Sequence, residues 1–383
     1  MSFVRWALLL TGLFCMASSA FAEDIRIQSV DSAGRLVATN LQSGSTSTVE
    51  WASSPTTGWT NSWESLSSVL VDSNGTISVS VPRFYRVTGV PAGQVQTPLV
   101  IPDMVTIGHA GNEDDTVVDR FGQSSGAVSY TYKLGRYEVT NEEYVKFLNA
   151  VDPAGEDVLS LYNIRMSSSI GGISKDTNAV SGATYVTKVG FENKPVLYVS
   201  FYDAARFCNW LHNGAVVFGD TENGAYTLIG GTAEPSNGTN VLRNAGAQFA
   251  IPTEDEWYKA AYYDPENAGA DSNGSTNYWL YPTMNDIAPT AEGPPGGTNS
   301  ANYRVTIGEV VSDVGSYVDS TSYYGTFDQG GNVYEWCERL EGSSRILRGG
   351  SWFNSNDELS SEGPFARSPG TEDDVYGFRV SSP

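Results

Sequence analysis

Cysteine and histidine, the side chains most often used as nucleophiles, bases and metal ligands, are scarce in this sequence. Its 383 residues include three cysteines, Cys15, Cys208 and Cys337, and two histidines, His109 and His212. The contexts of Cys208 and Cys337 are apolar or aromatic, which favours buried free thiols, although a disulfide between the two stays open. Two histidines far apart cannot by themselves make a three-histidine metal centre. No phosphate-binding loop, nucleophile elbow or dinucleotide fingerprint occurs either.

The charge balance restricts the classes of partner. Acidic residues outnumber basic residues by 44 to 22, which gives a formal net charge of -22. Nucleic acids and anionic lipid surfaces require a cationic face, so we expect neither as a partner. Acidic loops are, however, where hard cations such as Ca²⁺ bind. The oligomeric state is not determined by any of these features.

The N-terminus has the three parts of a secretory signal peptide. Arg5 supplies the positive charge, residues 7–16 an apolar core, and residues 20–22 (AFA) a small-x-small cleavage site. A membrane anchor is the alternative, but the apolar run is short for a bilayer span. We therefore expect cleavage of residues 1–22 near Ala22, and a secreted, periplasmic or cell-envelope protein without membrane insertion.

Residues 23–90 alternate polar and apolar side chains in short runs separated by turn residues. The runs are IRIQSV, RLVATNL, STSTVEW, SSVLV, TISVSV and RFYRVTGV. Alternation with a period of two, together with many β-branched residues, predicts strands. We expect a small all-β module over residues 23–90, followed by a linker at residues 91–102.

Helix signals appear only in the large C-terminal segment, residues 103–383. A capping box is a Ser or Thr followed three residues later by an acidic side chain that bonds back to it. Such signals precede apolar stripes of helical spacing after Thr140, Ser200 and Thr253. Long stretches rich in Gly, Asn, Ser and Thr separate them. The segment is therefore expected to be α+β and rich in loops.

Five blocks of the large segment occur in the order found in one family. They are GRYEVTNEEYVKFLNA, KPVLYVSFYDAARFCNWL, FAIPTEDEWYKAAYYDP, GGNVYEW and a last block that contains RGGSW, ARS and GFR. Together they resemble the formylglycine-generating enzymes, or sulfatase-modifying factors, over roughly residues 103–383. The resemblance implies a loop-rich α+β domain related to the C-type lectins. Residues 23–90 lie outside it.

The last block bears on catalysis. In oxidase members of this family, one cysteine follows the serine of the GGS motif by three residues, and a second cysteine lies five residues later. Counted from Ser351, these positions hold Asn354 and Leu359. Neither side chain forms a thiolate, so neither can attack a substrate, form a mixed disulfide or bind copper. The resemblance therefore implies no oxidase activity and no copper, although Ser351 stands at the family's active-site serine.

Other motif residues are candidates for structure or for ligand binding. Arg348, Arg367 and Arg379 match recurring arginines, whose forks suit either buried carboxylates or a ligand. Lectin-like members present variable side chains from the last loop, here residues 353–363. The candidate ligand-binding residues are Ser351, Trp352, Phe353, Asn354, Asn356, Asp357 and Arg367. They suit a glycan or a polar peptide, and an ordinary surface loop is the alternative.

The resemblance also implies a calcium site in the segment DQGGNVYEW. Asp328 and Glu335 would supply carboxylates, while Gly331 and Val333 would supply backbone carbonyls. A mixed set of oxygen ligands suits a hard cation, and glycine lets carbonyls turn inward. The alternative is a Gly-rich turn capped by Glu335.

A second calcium site is implied less completely. It would begin at Asn302 and the carbonyl of Tyr303. The acidic ligand that should follow stays open between Glu309 and Asp313.

Three functions stay open at this point. The favoured one is a calcium-stabilised binding or accessory protein for a glycan or peptide, because the scaffold is present and the thiols are absent. The alternative is an oxygen-dependent enzyme of the formylglycine-generating type, which converts a sulfatase cysteine to formylglycine. A purely structural envelope protein is the third.

Overall fold

The computed structural model describes ten ranges of the chain. They are residues 26–30, 35–39, 43, 46–52, 69–74, 76–80, 84–90, 98–267, 277–304 and 310–383. The expected signal peptide, residues 91–97 of the expected linker and Glu309 lie outside them. In the described part, no helix is long and apolar enough to cross a membrane.

The described residues between 26 and 90 form six strands. They are β1 (Arg26–Val30), β2 (Arg35–Thr39), β3 (Thr46–Ala52), β4 (Val69–Leu70), β5 (Ile77–Ser80) and β6 (Phe84–Val90). Antiparallel pairing arranges them in two three-stranded sheets, of order β1-β2-β5 and β4-β3-β6. Each strand overlaps one of the alternating runs of the sequence. The boundaries of the module at residues 23 and 90 stay a prediction.

The three expected helices are confirmed, each with the capping box that the sequence indicates. They are α1 (Asn141–Val151), α2 (Phe201–His212) and α3 (Glu254–Tyr262), which begin after Thr140, Ser200 and Thr253. In each box the hydroxyl accepts from the backbone N–H three residues on, where the acidic side chain bonds back to the cap. These local bonds satisfy amides that a helix start otherwise leaves unpaired.

Short strands make up the remainder of the large segment. They are β7 (Met104–Ile107), β8 (Tyr132–Gly135), β9 (Ile173–Lys175), β10 (Tyr185–Thr187), β11 (Thr290–Ala291), β12 (Ser300–Ala301), β13 (Tyr334–Glu341), β14 (Ser344–Arg348), β15 (Phe365–Arg367), β16 (Tyr376–Gly377) and β17 (Ser381–Ser382). The largest sheet has the order β15-β14-β13-β16, and β17-β8-β7 joins the end of the chain to the start of this segment. The expectation of a loop-rich α+β domain is confirmed.

Aromatic side chains of the helices and of β13 form the main core. Phe147 of α1 packs against Phe207 and Trp210 of α2, with ring centroids 5.4 Å apart in both contacts. Trp336 of β13 packs edge-on against Phe201 of α2. Because β13 and β14 form a hairpin on this core, the loop that follows β14 leaves from a rigid base.

Candidate functional site

The loop after β14 begins with two glycines in the left-handed region of backbone conformation. Gly349 has φ 95° and Gly350 has φ 69°. A Cβ at Gly349 would lie 2.8 Å from the carbonyl oxygen of Gln329, and one at Gly350 would lie 2.6 Å from Leu359. Only glycine fits both the backbone angles and the space. The pair therefore turns the chain tightly enough to bury Ser351 directly behind it.

Ser351 has the contacts of a structural serine. Its side chain is fully buried. Its Oγ donates to Oδ1 of Asn354 at 2.5 Å and accepts from the backbone N–H of Phe353 at 3.3 Å. A nucleophilic serine needs an adjacent base, and an amide oxygen is not one. In this arrangement Asn354 holds the loop closed over Ser351.

Neither histidine takes part in this loop. Nδ1 of His109 lies 3.1 Å from the hydroxyl of Tyr324, and Nδ1 of His212 accepts from the backbone N–H of Gln248 at 3.0 Å. Burial lowers the pKa of His212, and its accepting nitrogen carries no proton.

Leu359, the second position at which oxidase members have a cysteine, fills space in the structure. Its side chain is fully buried and belongs to a cluster with Tyr281, Ala301 and Tyr303. The backbone carbonyl of Leu359 accepts from the hydroxyl of Tyr262 at 3.0 Å. Hydrophobic packing therefore occupies the region beside Ser351 and Asn354.

The thiols of the chain lie elsewhere. Cys208 on α2 and Cys337 on β13 are free and buried, which confirms the expectation of free thiols over a disulfide. Burial raises the pKa of both thiols, which suppresses the reactive thiolate.

The outer face of the loop is aromatic and polar. The side chain of Phe353 is 65% exposed and stands edge-on to the ring of Trp352 at 5.7 Å. Trp352 is fixed in turn, since its Nε1 donates to the carbonyl of Asp374 at 3.1 Å. Asp357 is exposed, and Oδ1 of Asn356 accepts from Arg304 at 3.3 Å. Trp352, Phe353, Asn356 and Asp357, four of the seven candidate residues, are thus at least partly exposed in this loop.

Arg367 belongs to the neighbouring sheet rather than to that loop surface. It is exposed on β15, where its Nε donates to the hydroxyl of Tyr376 at 3.0 Å. Its guanidinium lies 3.8 Å from the centroid of the Phe365 ring. Both contacts fix Arg367 to its own sheet.

The two other motif arginines are fully buried and join distant segments. Nε of Arg348 donates to Oε1 of Glu254 at 2.7 Å, and its Nη1 donates to the carbonyl of Ser361 at 2.6 Å. Arg379 donates to both carboxylate oxygens of Glu335, at 2.5 and 2.7 Å. Of the two roles that the sequence allowed, these contacts favour the structural one.

The carboxylates of the first expected calcium site already have protein partners. Oδ2 of Asp328 accepts from the backbone N–H of Gly315 at 2.6 Å. Oε2 of Glu335 accepts from Nε1 of Trp257 at 2.8 Å as well as from Arg379. A carboxylate has about four lone-pair positions. Each carboxylate therefore keeps capacity for a cation, but Glu335 is also compensated by a buried arginine.

The segments of the two expected calcium sites adjoin. The backbone N–H of Asn332 donates to the carbonyl of Asn302 at 2.9 Å, and a Cβ on Gly331 would lie 2.3 Å from that oxygen. Val333 lies alongside, fully buried. Oδ1 of Asn302 is buried and has no hydrogen-bond partner among the described residues. An unpaired buried oxygen at this junction fits a cation ligand.

Three further observations limit the calcium assignment. Asp313, one of the two open choices for the second site, lies 3.5 Å from Nζ of Lys194, and its side chain is 53% exposed. The hydroxyl of Tyr303 donates to the carbonyl of Pro289. Over the described residues, no group of three or more His, Cys, Asp or Glu side chains has the arrangement of a metal site. Both sites therefore stay predictions.

Comparison with known proteins decides the family. The profile of the sulfatase-modifying factor enzyme 1-like domain matches residues 91–382. The chain belongs to this family. Among curated relatives, the serine/threonine-protein kinase pkn1 of Chlamydia caviae is 23% identical over 272 residues, which are 66% of this chain and 33% of the kinase. The chaperone protein LppX of Paenibacillus barcinonensis is 28% identical over 196 residues, which are 45% of this chain and 65% of LppX.

The chain thus spans about a third of the kinase relative and less than two thirds of LppX. Among solved structures, the Treponema denticola variable protein 1 is 23% identical, and the match covers 73% of this chain and 94% of that protein with a TM-score of 0.42.

One buried residue of this sulfatase-modifying factor-like domain escaped the sequence analysis. Glu138 follows β8 and is 1% exposed, and its Oε1 accepts from Nδ2 of Asn332 at 2.9 Å. Oε2 has no partner among the described residues. Burial, and then the charge of Asp328, raise the pKa of Glu138 well above its usual range. The GRYEVTN block contains Glu138, but only its packing against Asn332 reveals the environment.

Proposed function

We propose that this member of the family is an exported binding or accessory protein for a polar ligand, a glycan or a peptide, and that it forms no formylglycine. The supporting observation is the state of the loop after β14. Ser351 is bonded to Asn354, and Leu359 is packed in a hydrophobic cluster. The loop holds its shape through these contacts while its outer face stays exposed.

Thiol chemistry is the first argument for a binding role. Oxidation of a substrate cysteine through a mixed disulfide needs a thiolate next to the substrate. Cys208 and Cys337 are fully buried in the core, and their pKa values are raised by burial. Neither is accessible to a peptide without opening of the core.

The composition of the loop face is the second argument. An exposed Phe353, fixed beside Trp352, offers an apolar plane against which a sugar ring or a peptide side chain can pack. Asn356 and Asp357 lie in the same loop and supply a polar margin. Anchoring aromatics with polar neighbours are typical of binding surfaces. The relative LppX is described as a chaperone, which supports including peptides among the ligand classes.

A direct assay separates the binding role from the oxidase alternative. The purified chain is incubated with a Cys-x-Pro-x-Arg peptide, copper and oxygen, and the peptide mass is followed for aldehyde formation. We expect none. Aldehyde above the level of a heat-denatured sample would refute the proposal. A matched variant, Ser351→Ala, shows whether any signal depends on this loop.

Glycan and peptide arrays test the binding half of the proposal. The chain is applied with calcium supplied, beside the same chain carrying Phe353→Ala. Retention that falls in the variant supports recognition by the loop. If the chain is retained on neither the glycan array nor the peptide array, the binding role is contradicted.

Calcium is proposed as a stabilising ion at Asp328 and Glu335 with the carbonyls of Gly331 and Val333. The unpaired oxygens of Asn302 and Glu138 nearby support this placement. An ion that binds only the folded state raises its stability by mass action. We expect Tm to fall when a chelator is added and to recover with excess Ca²⁺. An unchanged Tm, or the same fall in Asp328→Asn, would exclude this site.

A further inference from the structure

A second concave surface lies at the opposite end of the β13–β14 hairpin from the loop. It is a cavity of about 400 Å³ between the start of α3, the hairpin and residues 123–125. Small-molecule sites usually range from about 300 to 1,000 Å³. The cavity therefore has the size of a site for a small metabolite. No part of it is shared with residues 351–359.

Three arginines line this cavity, and two of them are fully compensated. Arg243 forms a bidentate pair with Glu256, at 2.9 Å for both bonds, and also bonds Glu338 at 3.0 Å. Arg339 bonds Glu254 at 2.6 Å, with further carboxylates on either side. These two arginines keep little attraction for an added anion.

Arg345 differs from them. It is 1% exposed, and the hydrogen bonds of its guanidinium to described residues all go to backbone carbonyls, those of Glu338, Thr239 and Val241. The face of Phe201 lies 4.3 Å from the guanidinium carbon. Nε has no partner among the described residues. The charge of Glu338 acts on Arg345 from beyond ion-pair distance, and burial still lowers the pKa of the guanidinium. A buried guanidinium without an ion-pair partner is costly, and a ligand carboxylate at the cavity would compensate it.

Asp255, a carboxylate in the same lining, lacks a basic ion-pair partner among the residues that the structure describes. Oδ1 of Asp255 accepts a backbone N–H from Gly126 at 3.0 Å. Within the described chain, no Lys, Arg or His nitrogen lies within 4 Å of Asp255, whereas Glu254 beside it bonds both Arg339 and Arg348. Burial raises the pKa of Asp255, and the nearby charges of Asp114 and Glu254 add to this, although the bond from Gly126 and the charge of Arg339 oppose it. Asp255 would gain from a ligand cation.

The cavity lining thus combines Arg345, which an anion would stabilise, with Asp255, which a cation would stabilise, around a space of small-molecule size. We propose that the cavity binds a free amino acid or dipeptide, with its carboxylate towards Arg345 and its ammonium towards Asp255. Val241 and Leu242 supply an apolar wall for the ligand side chain. A sugar is disfavoured because none of the described lining residues is aromatic. This proposal is independent of the function proposed for the loop.

The test uses the full chain and a panel of free standard amino acids and their simple dipeptides. Tm is measured with each compound, and any binder is titrated by calorimetry. We expect at least one compound to raise Tm by several degrees at saturating concentration. Its N-acetyl and C-amide forms should have no effect, because each removes one of the two charges.

Two variants locate the binding. Asp255→Asn keeps an oxygen for the Gly126 N–H but removes the charge, and affinity should fall about 30-fold. Asp176→Asn is the matched control, since the exposed Asp176 likewise accepts a neighbouring backbone N–H, that of Asn178 at 2.9 Å, outside the cavity. Affinity in that variant should be unchanged. Leu242→Trp, at a 64% exposed lining position, should block the cavity without altering its charges.

Several outcomes would overturn the proposal. They are a panel without any binder, blocked analogues that bind as well as the free compound, equal effects of D255N and D176N, and full affinity in L242W. Each of these leaves the function proposed for the loop untouched, because that function is measured by arrays and by Phe353→Ala.

Discussion

Arg345 and Arg348 lie three residues apart on β14, and both are fully buried, but they differ in what surrounds them. Nε of Arg348 donates to Oε1 of Glu254 at 2.7 Å, and Nη2 lies 2.6 Å from the same oxygen in an ion pair. Arg345 contacts carbonyl groups and the ring of Phe201. Burial lowers the pKa of both guanidinium groups, but Glu254 raises that of Arg348 enough to reverse the net direction. The paired arginine therefore stabilises the fold, whereas the unpaired one is the group to which we assign a ligand carboxylate.

The largest effect is expected when the paired arginine is removed. In Arg348→Met, Glu254 stays buried but loses one of the two arginines with which it forms ion pairs. Breaking a buried ion pair in this way costs about 3–5 kcal/mol of the free energy of unfolding. Urea denaturation, followed by tryptophan fluorescence, measures the loss.

The control for Arg348→Met is Arg136→Met. Arg136 pairs at 3.0 Å with Asp103, whose side chain is 58% exposed. Loss of an exposed pair costs about 0–1 kcal/mol. Equal losses in the two variants would mean that the pair with Glu254 is not what stabilises this part of the fold.

A smaller loss is expected for the unpaired arginine. Arg345→Met removes hydrogen bonds to carbonyls but also removes a buried charge that has no ion-pair partner among the described residues. We expect a cost of about 1–3 kcal/mol, less than in Arg348→Met. The same denaturation experiment compares them. A cost as large as that of Arg348→Met would contradict the absence of compensation at Arg345, and with it the basis of the proposed zwitterion site.

The helices and strands could be predicted from the sequence because their signals are local. A capping box spans four residues, as from Thr140 to Glu143, and strand alternation in residues 26–90 is visible within each run. The sequence motif includes Gly349, but the motif does not show the close contact with Gln329 that requires glycine at this position.

Charge pairing could not be predicted, because it depends on residues far apart in the chain. Glu138 meets Asn332 across 194 positions, and Arg345 meets Val241 across 104. The sequence places each charged residue on an element but does not show which partner packs against it. For that reason the loop of the candidate site was foreseen from its motif, whereas the cavity beside Arg345 and Asp255 was not.

Glu372 is a carboxylate that, like Arg345, has no ion-pair partner among the described residues. Burial raises the pKa of Glu372 to about 7, and the charges of Asp203 and Asp157 add to the effect, while the bond from Asn163 opposes it. In Glu256, by contrast, Arg243 outweighs burial and the pKa is lowered. An acid with a raised pKa in the folded state binds protons more tightly there than in the unfolded chain. Its ionisation therefore removes stability as pH rises from about 4.5 to about 7.

Glu372→Gln should abolish this part of the pH dependence. The glutamine oxygen can still accept from Asn163 but carries no charge. We expect the variant to be more stable than the parent by about 1–2 kcal/mol at pH 8, and equal to it at pH 4. Denaturation midpoints across this range test the sign. A variant that is less stable at pH 8 would show that Glu372 is compensated by a group other than Asn163.

The smallest effect on stability is expected on the exposed face of the loop. Phe353 is 65% exposed, so Phe353→Ala should change the free energy of unfolding by less than about 0.5 kcal/mol. Ile164→Ala, at another position that is 74% exposed, is the matched control for loss of surface hydrophobic area. Retention on the arrays should fall with Phe353→Ala and stay the same with Ile164→Ala. Because Phe353 contributes little to folding, a loss of binding in that variant reports recognition by the loop itself, whereas retained binding would place the ligand on another surface.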